Sequence, residues 1–283
     1  MNVEKEIILL CSVLNMTETE LGKKLNVSYE TINNWKHNRK NIDNSNLEKL
    51  YSFAFEKGVS FNNIYEQLLK EEHSIDNNLV LFHGAKNNLL MPIDLNKSKR
   101  LNDFGIGFYL GETYLQAANY ISALDMNKVY AFKLNMNGLK KYKFVVDNNW
   151  MIAIAYFRGW LNEYSNHPYI VKILDELKDV DVIIAPIADN RMFDIINEFI
   201  ENEITDEQCK HALAATNLGF QYVLKTQKAV DNLSYLREMY VSSNEKDYCT
   251  KTRISLTNNG LQKVKMSRIE YKGKGKYIEE ILK

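Results

Sequence analysis

Apolar residues recur at helical spacing through the first 72 residues of the chain. The pattern predicts a bundle of five short helices. Thr17 with Glu20, and Ser45 with Glu48, have the spacing of capping boxes, which predicts helix starts at residues 18 and 46. Ser28 is predicted to cap the third helix. Residues 1–72 are therefore predicted to form an all-α domain.

A polar stretch at residues 73–78 interrupts this pattern and is predicted to be a linker. Beyond it, runs of strand length are mixed with segments of helical spacing. The predicted strands are 79–84, 108–110, 128–135, 141–146, 182–187 and 220–224. The predicted helices are 115–124, 150–163, 168–177, 190–201, 206–215 and 226–236. Because strands and helices do not alternate regularly, residues 79–240 are predicted to form an α+β domain in a multidomain chain.

The last segment, residues 241–283, differs in charge from the rest. It holds ten Lys and Arg against five Asp and Glu, a net charge of +5. Lysine alternates with glycine from Lys272 to Lys276, which predicts a flexible basic loop. Two interpretations are open for this basic extension: it contacts nucleic acid, or it is a solvated segment that packs one face on the preceding domain.

Composition narrows the class of protein. The 283 residues hold 36 basic and 36 acidic side chains, and the 45% hydrophobic content fits an ordered chain. Three cysteines without metal-binding spacing predict neither a disulfide framework nor a metal site. No apolar run approaches the ~20 residues that cross a bilayer, and no basic segment precedes an apolar core at the N-terminus. We therefore expect a cytoplasmic protein with no metal and no membrane partner.

Residues 17–35 read Thr-x-x-Glu-Leu-x-x-x-Leu-x-Val-Ser-x-x-Thr-Ile-x-x-Trp, a helix, a turn and a second helix. This stretch resembles the helix-turn-helix of the Xre/Cro repressor family. The resemblance implies that the second helix enters the major groove of DNA. Six polar residues would lie on its exposed face, within reach of bases or phosphates: Ser28, Tyr29, Thr31, Asn33, Asn34 and Lys36.

Two observations argue against DNA binding. Glu18 stands where this family usually carries a glutamine close to the phosphate backbone. Residues 1–72 also hold nine basic against eleven acidic side chains, whereas affinity for DNA rests largely on neutralising phosphates. The alternative is a helical module that docks a protein partner or the rest of the chain. A cluster of basic residues around the motif favours DNA: Lys23, Lys24, Lys36, Arg39 and Lys40.

The residues with candidate chemistry lie in the α+β segment. Gly105 and Gly107 precede Phe108-Tyr109-Leu110, a pattern typical of a tight turn into a short buried strand. An apolar strand upstream ends in His83-Gly84, and Gln221 stands at the start of a strand downstream. Tyr120 closes an Ala-Asn-Tyr sequence eleven residues after Tyr109. Any one of these residues alone is usually a core residue, so only their joint order and spacing indicate a functional site.

In this order the motifs resemble the ADP-ribosyltransferase fold, closest to its histidine–tyrosine–glutamate branch, which includes diphtheria toxin and the poly(ADP-ribose) polymerases. The resemblance covers residues 79–240 and implies a split sheet with NAD as substrate. It implies His83 as the family histidine, Tyr109 as the tyrosine, Tyr120 as the second tyrosine, and Gln221 in place of the glutamate. The implied NAD-binding residues are His83, Gly84, Gly107, Tyr109 and Tyr120.

Each of these residues has an implied role. Gly84 lets the backbone approach the nicotinamide carboxamide, His83 bonds a ribose hydroxyl, and Tyr120 stacks on the nicotinamide ring opposite Tyr109. Arg100, which precedes the glycine turn, is a candidate for the diphosphate because guanidinium binds phosphate through two hydrogen bonds. A glutamine at position 221 can accept a hydrogen bond from a ribose hydroxyl but cannot act as a general base.

The resemblance implies a mono-ADP-ribosyltransferase that modifies nucleic acid or protein, as a toxin or phage-defence effector. A neutralising antitoxin would then be a further partner, and the helix-turn-helix would autoregulate or target the enzyme. Two alternatives remain open. One is an NAD glycohydrolase, with water as the acceptor. The other is a DNA-binding regulator whose inactive transferase domain senses NAD.

Overall fold

The computed structural model describes residues 3–188, 190–214 and 218–283, with the backbone alone at residues 190 and 256–259. These residues form two compact units, each assembled from three separate segments. The first unit comprises Met1–Asn88, Thr113–Lys133 and Tyr235–Lys251. The second unit comprises Leu89–Glu112, Leu134–Ser234 and Thr252–Lys283. Both units contain helices and strands, so the fold is mixed α/β.

The α-helices within the described residues are α1 (Val3–Val13), α2 (Glu18–Leu25), α3 (Tyr29–Lys36), α4 (Asn44–Glu56), α5 (Phe61–His73), α6 (Tyr114–Ile121), α7 (Asn148–Phe157), α8 (Pro168–Leu177), α9 (Asn190–Ile200), α10 (Asp206–Ala214), α11 (Gln227–Asp231), α12 (Ser243–Glu270) and α13 (Ile278–Ile281). The strands are β1 (Asn78–Gly84), β2 (Phe108–Gly111), β3 (Lys128–Asn135), β4 (Lys141–Lys143), β5 (Val182–Pro186), β6 (Phe220–Leu224) and β7 (Leu233–Tyr240). None of the helices in the described ranges is long and apolar enough to cross a membrane.

Side-chain caps set the start of α2 and α3. The backbone N–H of Glu20 donates to Thr17 Oγ1 at 3.2 Å, and the N–H of Thr17 donates to Glu20 Oε2 at 2.7 Å. The first predicted capping box is therefore confirmed. Asn26 then ends α2 in the left-handed conformation, with φ +56°. Ser28 caps α3 by accepting the N–H of Thr31 at 3.1 Å, as predicted.

The predicted capping box of Ser45 with Glu48 is wrong. Asp43 Oδ1 accepts the N–H of Asn46 at 2.9 Å, and α4 begins at Asn44. Aspartate is among the strongest N-cap residues, so the helix starts at the earlier of the two available caps.

The first unit contains the α1–α5 bundle together with β1, β3, β7 and α6. The bundle closes over Ile7, Leu10, Leu21, Ile32 and Leu50, and Tyr240 at the end of β7 is part of the same core. Strands β1, β3 and β7 are hydrogen-bonded in that order. A second apolar cluster joins α6 to these strands; it includes Phe82, Ala118, Ile121, Val129 and Met239.

A buried polar network ties the bundle to this part of the unit. Asn62 Nδ2 lies 2.7 Å from the carbonyl oxygen of Tyr240, 2.8 Å from Tyr114 Oη and 3.1 Å from both carboxylate oxygens of Glu245. Glu66, also on α5, accepts the first N–H of α6 at 3.0 Å, from Tyr114. Three segments distant in sequence therefore share one set of hydrogen bonds.

The predicted domain limits do not coincide with the compact units. Residues 1–72 share a unit with parts of the predicted α+β domain 79–240, and the predicted basic extension 241–283 divides between the units at Lys251. The predicted linker 73–78 is reduced to 74–77, because α5 runs to His73 and β1 begins at Asn78. The reason lies in the apolar and polar contacts just described, which no local pattern reveals. Residues 1–2 lie outside the described residues.

In the second unit the strand order is β4-β5-β6-β2. Strands β4 and β5 are parallel, β5 and β6 antiparallel, and β6 and β2 antiparallel. Helices α7 to α10 supply most of the large buried core, whose members include Phe104, Trp150, Ile183, Ile196 and Val223.

Three predicted helices of residues 79–240 are too long by three residues or more. The helix predicted at 115–124 ends at Ile121. Helix α7 ends at Phe157, because Gly159 takes the left-handed conformation with φ +86°, which stops the predicted helix 150–163. The predicted helix 226–236 ends at Asp231, and strand β7 begins at Leu233. In β7, pairing with β3 overrides the helical spacing. The predicted end of α10 at Ala215 lies outside the described residues.

The basic loop near the C-terminus was predicted to be flexible. In the structure, hydrogen bonds hold it to the start of α10. Lys276 N–H donates to Asp206 Oδ1 at 2.7 Å, and Thr205 Oγ1 donates to the carbonyl of Lys274 at 2.5 Å. Gly275, with φ +83°, allows the close approach to Asp206.

Glu245→Gln tests the buried network through pH. Burial raises the pKa of Glu245 to about 7, so the folded state holds a proton more tightly than the unfolded state between pH ~4.5 and ~7. The stabilisation that comes from protonated Glu245 is therefore present at low pH, and it is lost as the pH rises toward the pKa of about 7 in the folded state. We expect the free energy of unfolding of the wild type to fall by roughly 2 to 3 kcal/mol more than that of Glu245→Gln between pH 5 and pH 8.

Urea unfolding of both proteins at the two pH values measures this difference. Glu71→Gln, on the exposed side of α5, is the matched control and should follow the wild type. Parallel pH dependence in the wild type and Glu245→Gln would contradict the assignment.

Candidate functional site

In the first unit, the end of β1 meets helix α6 at Gly84. A Cβ at this position would lie 2.6 Å from the carbonyl oxygen of Ala117, 2.9 Å from Ile121 Cγ2 and 3.3 Å from Tyr120 Cδ1. Only glycine permits this approach. The structure therefore brings the predicted residues Gly84 and Tyr120 together, with half-buried His83 as the preceding residue on the strand.

Helix α6 presents Tyr120 outward. A capping box of Thr113 with Gln116 starts the helix, and its inner face is buried. Tyr120 is 53% exposed, so its ring offers an aromatic surface next to Gly84. An exposed ring of this kind suits stacking on a planar heterocycle, which contributes ~0.5–1.5 kcal/mol beyond burial.

In the second unit, the glycine turn before β2 is packed tightly against β6. Gly105 has φ +70°, and a Cβ on Gly107 would lie 2.6 Å from Val223 Cγ1. Lys225 Nζ donates to the carbonyls of Phe104 and Ile106, each at 2.5 Å. Burial lowers the pKa of Lys225 to about 8. The turn is thus fixed from the neighbouring strand.

Tyr109 fastens the same turn from within β2. Its hydroxyl donates to the carbonyl of Gly105 at 2.8 Å and accepts the N–H of Phe104 at 3.1 Å. Burial raises the pKa of the phenol well above its ordinary value. The hydroxyl of Tyr109 is therefore engaged by the backbone of this turn, which holds its ring in place.

Gln221 lies on the same face of the sheet as Tyr109. Gly111 is the register partner of Gln221, and Val223 is the partner of Tyr109, so the two side chains point to one face two positions apart. The Gln221 amide Nε2 donates to Asp103 Oδ2 at 3.0 Å and lies 3.4 Å from the carbonyl of Pro186. The second unit thus gathers two predicted residues around the segment 103–105.

Asp103 and Arg158 belong to this cluster and had no predicted role. Arg158 donates to Asp103 Oδ1 from Nη2 at 2.7 Å and from Nε at 3.2 Å, and its Cζ lies 3.3 Å from the centre of the Phe193 ring. Asp103 directly precedes the Phe-Gly turn, which is the one signal in the sequence that could have identified it. No local sequence pattern identifies Arg158 as a member of this cluster.

The remaining predicted NAD residue, Arg100, is exposed, and its carbonyl oxygen lies beside Gly105 in the second unit. The predicted residues are thus divided between the units. His83, Gly84 and Tyr120 belong to the first, and Arg100, Gly107, Tyr109 and Gln221 belong to the second. Within the described part of the chain, no three His, Cys, Asp or Glu side chains are arranged to hold a metal ion.

The six residues predicted to contact DNA differ in what their side chains do. The Ser28 hydroxyl is occupied as the cap of α3. Tyr29 is 52% exposed, and Thr31, Asn33 and Asn34 are partly exposed. Lys36 Nζ forms an ion pair with Glu18 Oε1 at 2.5 Å, and this hydrogen bond raises the pKa of Lys36. The Glu18 carboxylate therefore neutralises the positive charge that Lys36 would need to bind a phosphate.

Gly84→Ala tests the close contact between β1 and α6. Its new methyl group would press on a backbone carbonyl, so we expect a loss of roughly 2 to 3 kcal/mol in the free energy of unfolding. Gly138→Ala is the comparison, because Gly138 has φ +71° but no atom within 4 Å of an added Cβ. Its cost, from backbone strain alone, should be about 1 kcal/mol. Equal or smaller destabilisation by Gly84→Ala, measured by urea unfolding, would contradict the contact.

Comparison with known proteins places part of the chain in a protein family. No curated protein and no solved structure matches the chain significantly. A family model described as a protein of unknown function, DUF3990, matches residues 79–235. The match covers more than half of the chain and contains the six predicted NAD-binding residues and Gln221, but not the helical bundle. The chain therefore belongs to the DUF3990 family of proteins of unknown function.

Proposed function

We propose that this protein is a mono-ADP-ribosyltransferase that transfers ADP-ribose from NAD to a macromolecular acceptor. The main support is the arrangement of the second unit, where Tyr109 and Gln221 share a sheet face and converge on one rigid turn. In the first unit, the contact of Gly84 with α6 adds an exposed aromatic ring at the end of the strand that carries His83.

The reaction breaks the bond between C1′ of the ribose and the nicotinamide nitrogen. The electron pair of that bond leaves with nicotinamide, and the ribose carbon passes through an oxocarbenium-like state. A nucleophilic atom of the acceptor then bonds to C1′, and its proton passes to solvent or to a base on the acceptor. No redox step is involved.

His83 would bond a ribose hydroxyl of NAD, and Tyr120 would stack on the nicotinamide ring. The amide oxygen of Gln221 would accept a hydrogen bond from a ribose hydroxyl. A neutral amide can neither remove the proton of the acceptor nor offset the cationic state with a full charge. The acceptor must therefore be nucleophilic by itself, which favours transfer of single units over chains.

The acceptor is nucleic acid or protein, and the proposed setting is a toxin or phage-defence effector with a neutralising partner. The net charge of +5 on residues 241–283 favours a nucleic-acid acceptor. If water were the acceptor, the protein would be an NAD glycohydrolase. If NAD were bound without cleavage, it would be an NAD-sensing regulator.

His83→Ala tests the assignment. Loss of a hydrogen bond to the ribose should reduce label transfer from NAD at least ~10-fold. The measurement uses NAD labelled in its adenylate half, incubated with bacterial protein, RNA and DNA, and separated by fraction. His37→Ala, a histidine at the end of α3, is the matched control and should keep wild-type transfer.

Label in one fraction would name the acceptor class. Consumption of NAD without label would establish the glycohydrolase instead. Equal label with the wild type and His83→Ala would refute the role given to His83, and a folded wild type that neither binds nor consumes NAD would refute the proposed enzyme.

We further propose that α2 and α3 form a helix-turn-helix with weak affinity for DNA. The exposed polar face of α3 supports this second function, and the pairing of Lys36 with Glu18 limits it. The alternative function of this module is docking to a protein partner.

Glu18→Gln should strengthen binding to a fragment of the protein's own promoter. It removes a charge that repels phosphate and frees Lys36 for a phosphate contact, so the slope of log K against log salt should steepen by about 1. Lys36→Ala should weaken binding, and Glu71→Gln, with the same change of charge on α5, should have a smaller effect than Glu18→Gln. Fluorescence anisotropy over a salt series measures all three. Absence of binding by Glu18→Gln at low salt would favour the docking role.

A further inference from the structure

Asp103 is a buried carboxylate that the proposed mechanism does not use. It is 9% exposed, and its two oxygens face different partners. Oδ1 is held by two guanidinium nitrogens of Arg158, and Oδ2 accepts from the Gln221 amide at 3.0 Å. Arg158 is itself fixed by stacking on Phe193. The carboxylate therefore has little freedom to rotate.

This arrangement determines which way the Gln221 amide points. Both groups next to its nitrogen, Asp103 Oδ2 and the carbonyl of Pro186, are hydrogen-bond acceptors. An amide oxygen facing either of them would meet a lone pair and make no bond, so the nitrogen must lie on this side. In the described residues, no protein donor bonds to Gln221 Oε1. Gln221 is 8% exposed, and its oxygen is the amide atom that these two acceptors leave for another partner.

We propose that Asp103, fixed by Arg158, is a positioning residue that turns the oxygen of the Gln221 amide toward a ribose hydroxyl of NAD. The inference rests on the proposed transferase function and adds a residue to its site. It also assigns glutamine at position 221 a specific role: the amide donates to the neighbouring Asp103 carboxylate, which a glutamate at that position could not do.

The consequence can be followed atom by atom. In Gln221→Glu, two carboxylates face each other at the 3.0 Å contact, and the hydrogen bond between them is lost unless one takes up a proton. In Asp103→Asn, an amide nitrogen faces the Gln221 nitrogen, so Gln221 must turn its oxygen inward to accept a bond. Both single variants therefore lose the outward oxygen or its support.

The double variant Asp103→Asn with Gln221→Glu exchanges the acid and the amide. The new amide at position 103 would accept from Arg158 through its oxygen and donate through its nitrogen to the new carboxylate at position 221. The hydrogen bonds from Arg158 to position 103 and between positions 103 and 221 are thus retained with the acid and the amide exchanged, whereas the weaker contact of position 221 with the Pro186 carbonyl, at 3.4 Å, is lost. A purely structural contact would also be rescued by this exchange, so positioning is shown by loss and rescue of turnover in variants whose thermal unfolding stays that of the wild type.

The test compares the wild type, the two single variants and the double variant as full-length chains. NAD turnover gives kcat and KM for each, and thermal unfolding confirms that each is folded. Asp194→Asn and Gln262→Glu, at exposed positions of α9 and α12, control for the chemical change alone. We expect each single variant to lose at least tenfold in kcat/KM, the double variant to recover at least tenfold over Gln221→Glu, and the controls to match the wild type.

Two results would overturn the inference while leaving the proposed function intact. One is a Gln221→Glu variant as active as the wild type or more active. The other is a folded double variant no better than the two single variants. An inactive, folded wild type would instead overturn the proposed function, and the role of Asp103 with it.

Discussion

A carboxylate that is removed from water must be given hydrogen-bond donors inside the protein, and this requirement shapes both units. In the first unit, Glu245 gathers the Asn62 amide and the Tyr114 hydroxyl around its oxygens. In the second, Asp103 does the same with Arg158 and Gln221. Because these donors come from helices and strands far apart in the chain, each carboxylate fixes the relative positions of several elements within its unit.

The same requirement bears on the chemistry of the candidate site. A glutamine in place of a catalytic glutamate is usually taken as the loss of a function, because an amide has neither the charge nor the basicity of a carboxylate. Here the amide stands beside a buried aspartate, which it satisfies through its nitrogen. A second carboxylate at this position would have no donor to offer. The surroundings of Gln221 therefore account for the amide without requiring an inactive protein.

The inner and outer sides of the helical bundle make different contacts. Its inner side stabilises the fold, because Asn62 of α5 belongs to the buried network and Glu66 of α5 accepts the first N–H of α6. Its outer side carries α3, where Glu18 neutralises Lys36. A module that served only to bind DNA would gain from an unpaired lysine there. The bundle thus supports the helix that carries Tyr120, whatever its outer face binds.

The local sequence determined much of the secondary structure. The strand 128–135 and the helix 168–177 match the prediction residue for residue, and the caps Thr17 and Ser28 act as predicted. Capping and periodicity work over a few residues, so they can be read directly from the chain. The order of His83, Tyr109 and Gln221 was also visible, and the structure places them on the predicted strands β1, β2 and β6.

Other features were decided by contacts between distant residues. The strand β7 forms because β3 offers it hydrogen bonds, and the bundle shares a unit with α6 because buried polar groups on both need partners. The roles of Asp103 and Arg158 depend on a separation of 55 residues in sequence, which no local pattern records. The sequence by itself thus determined the type and approximate position of most elements before residue 225, and it indicated which residues carry candidate chemistry. Only the tertiary structure decided which carboxylate meets which donor, because burial and pairing depend on residues that the fold alone brings together.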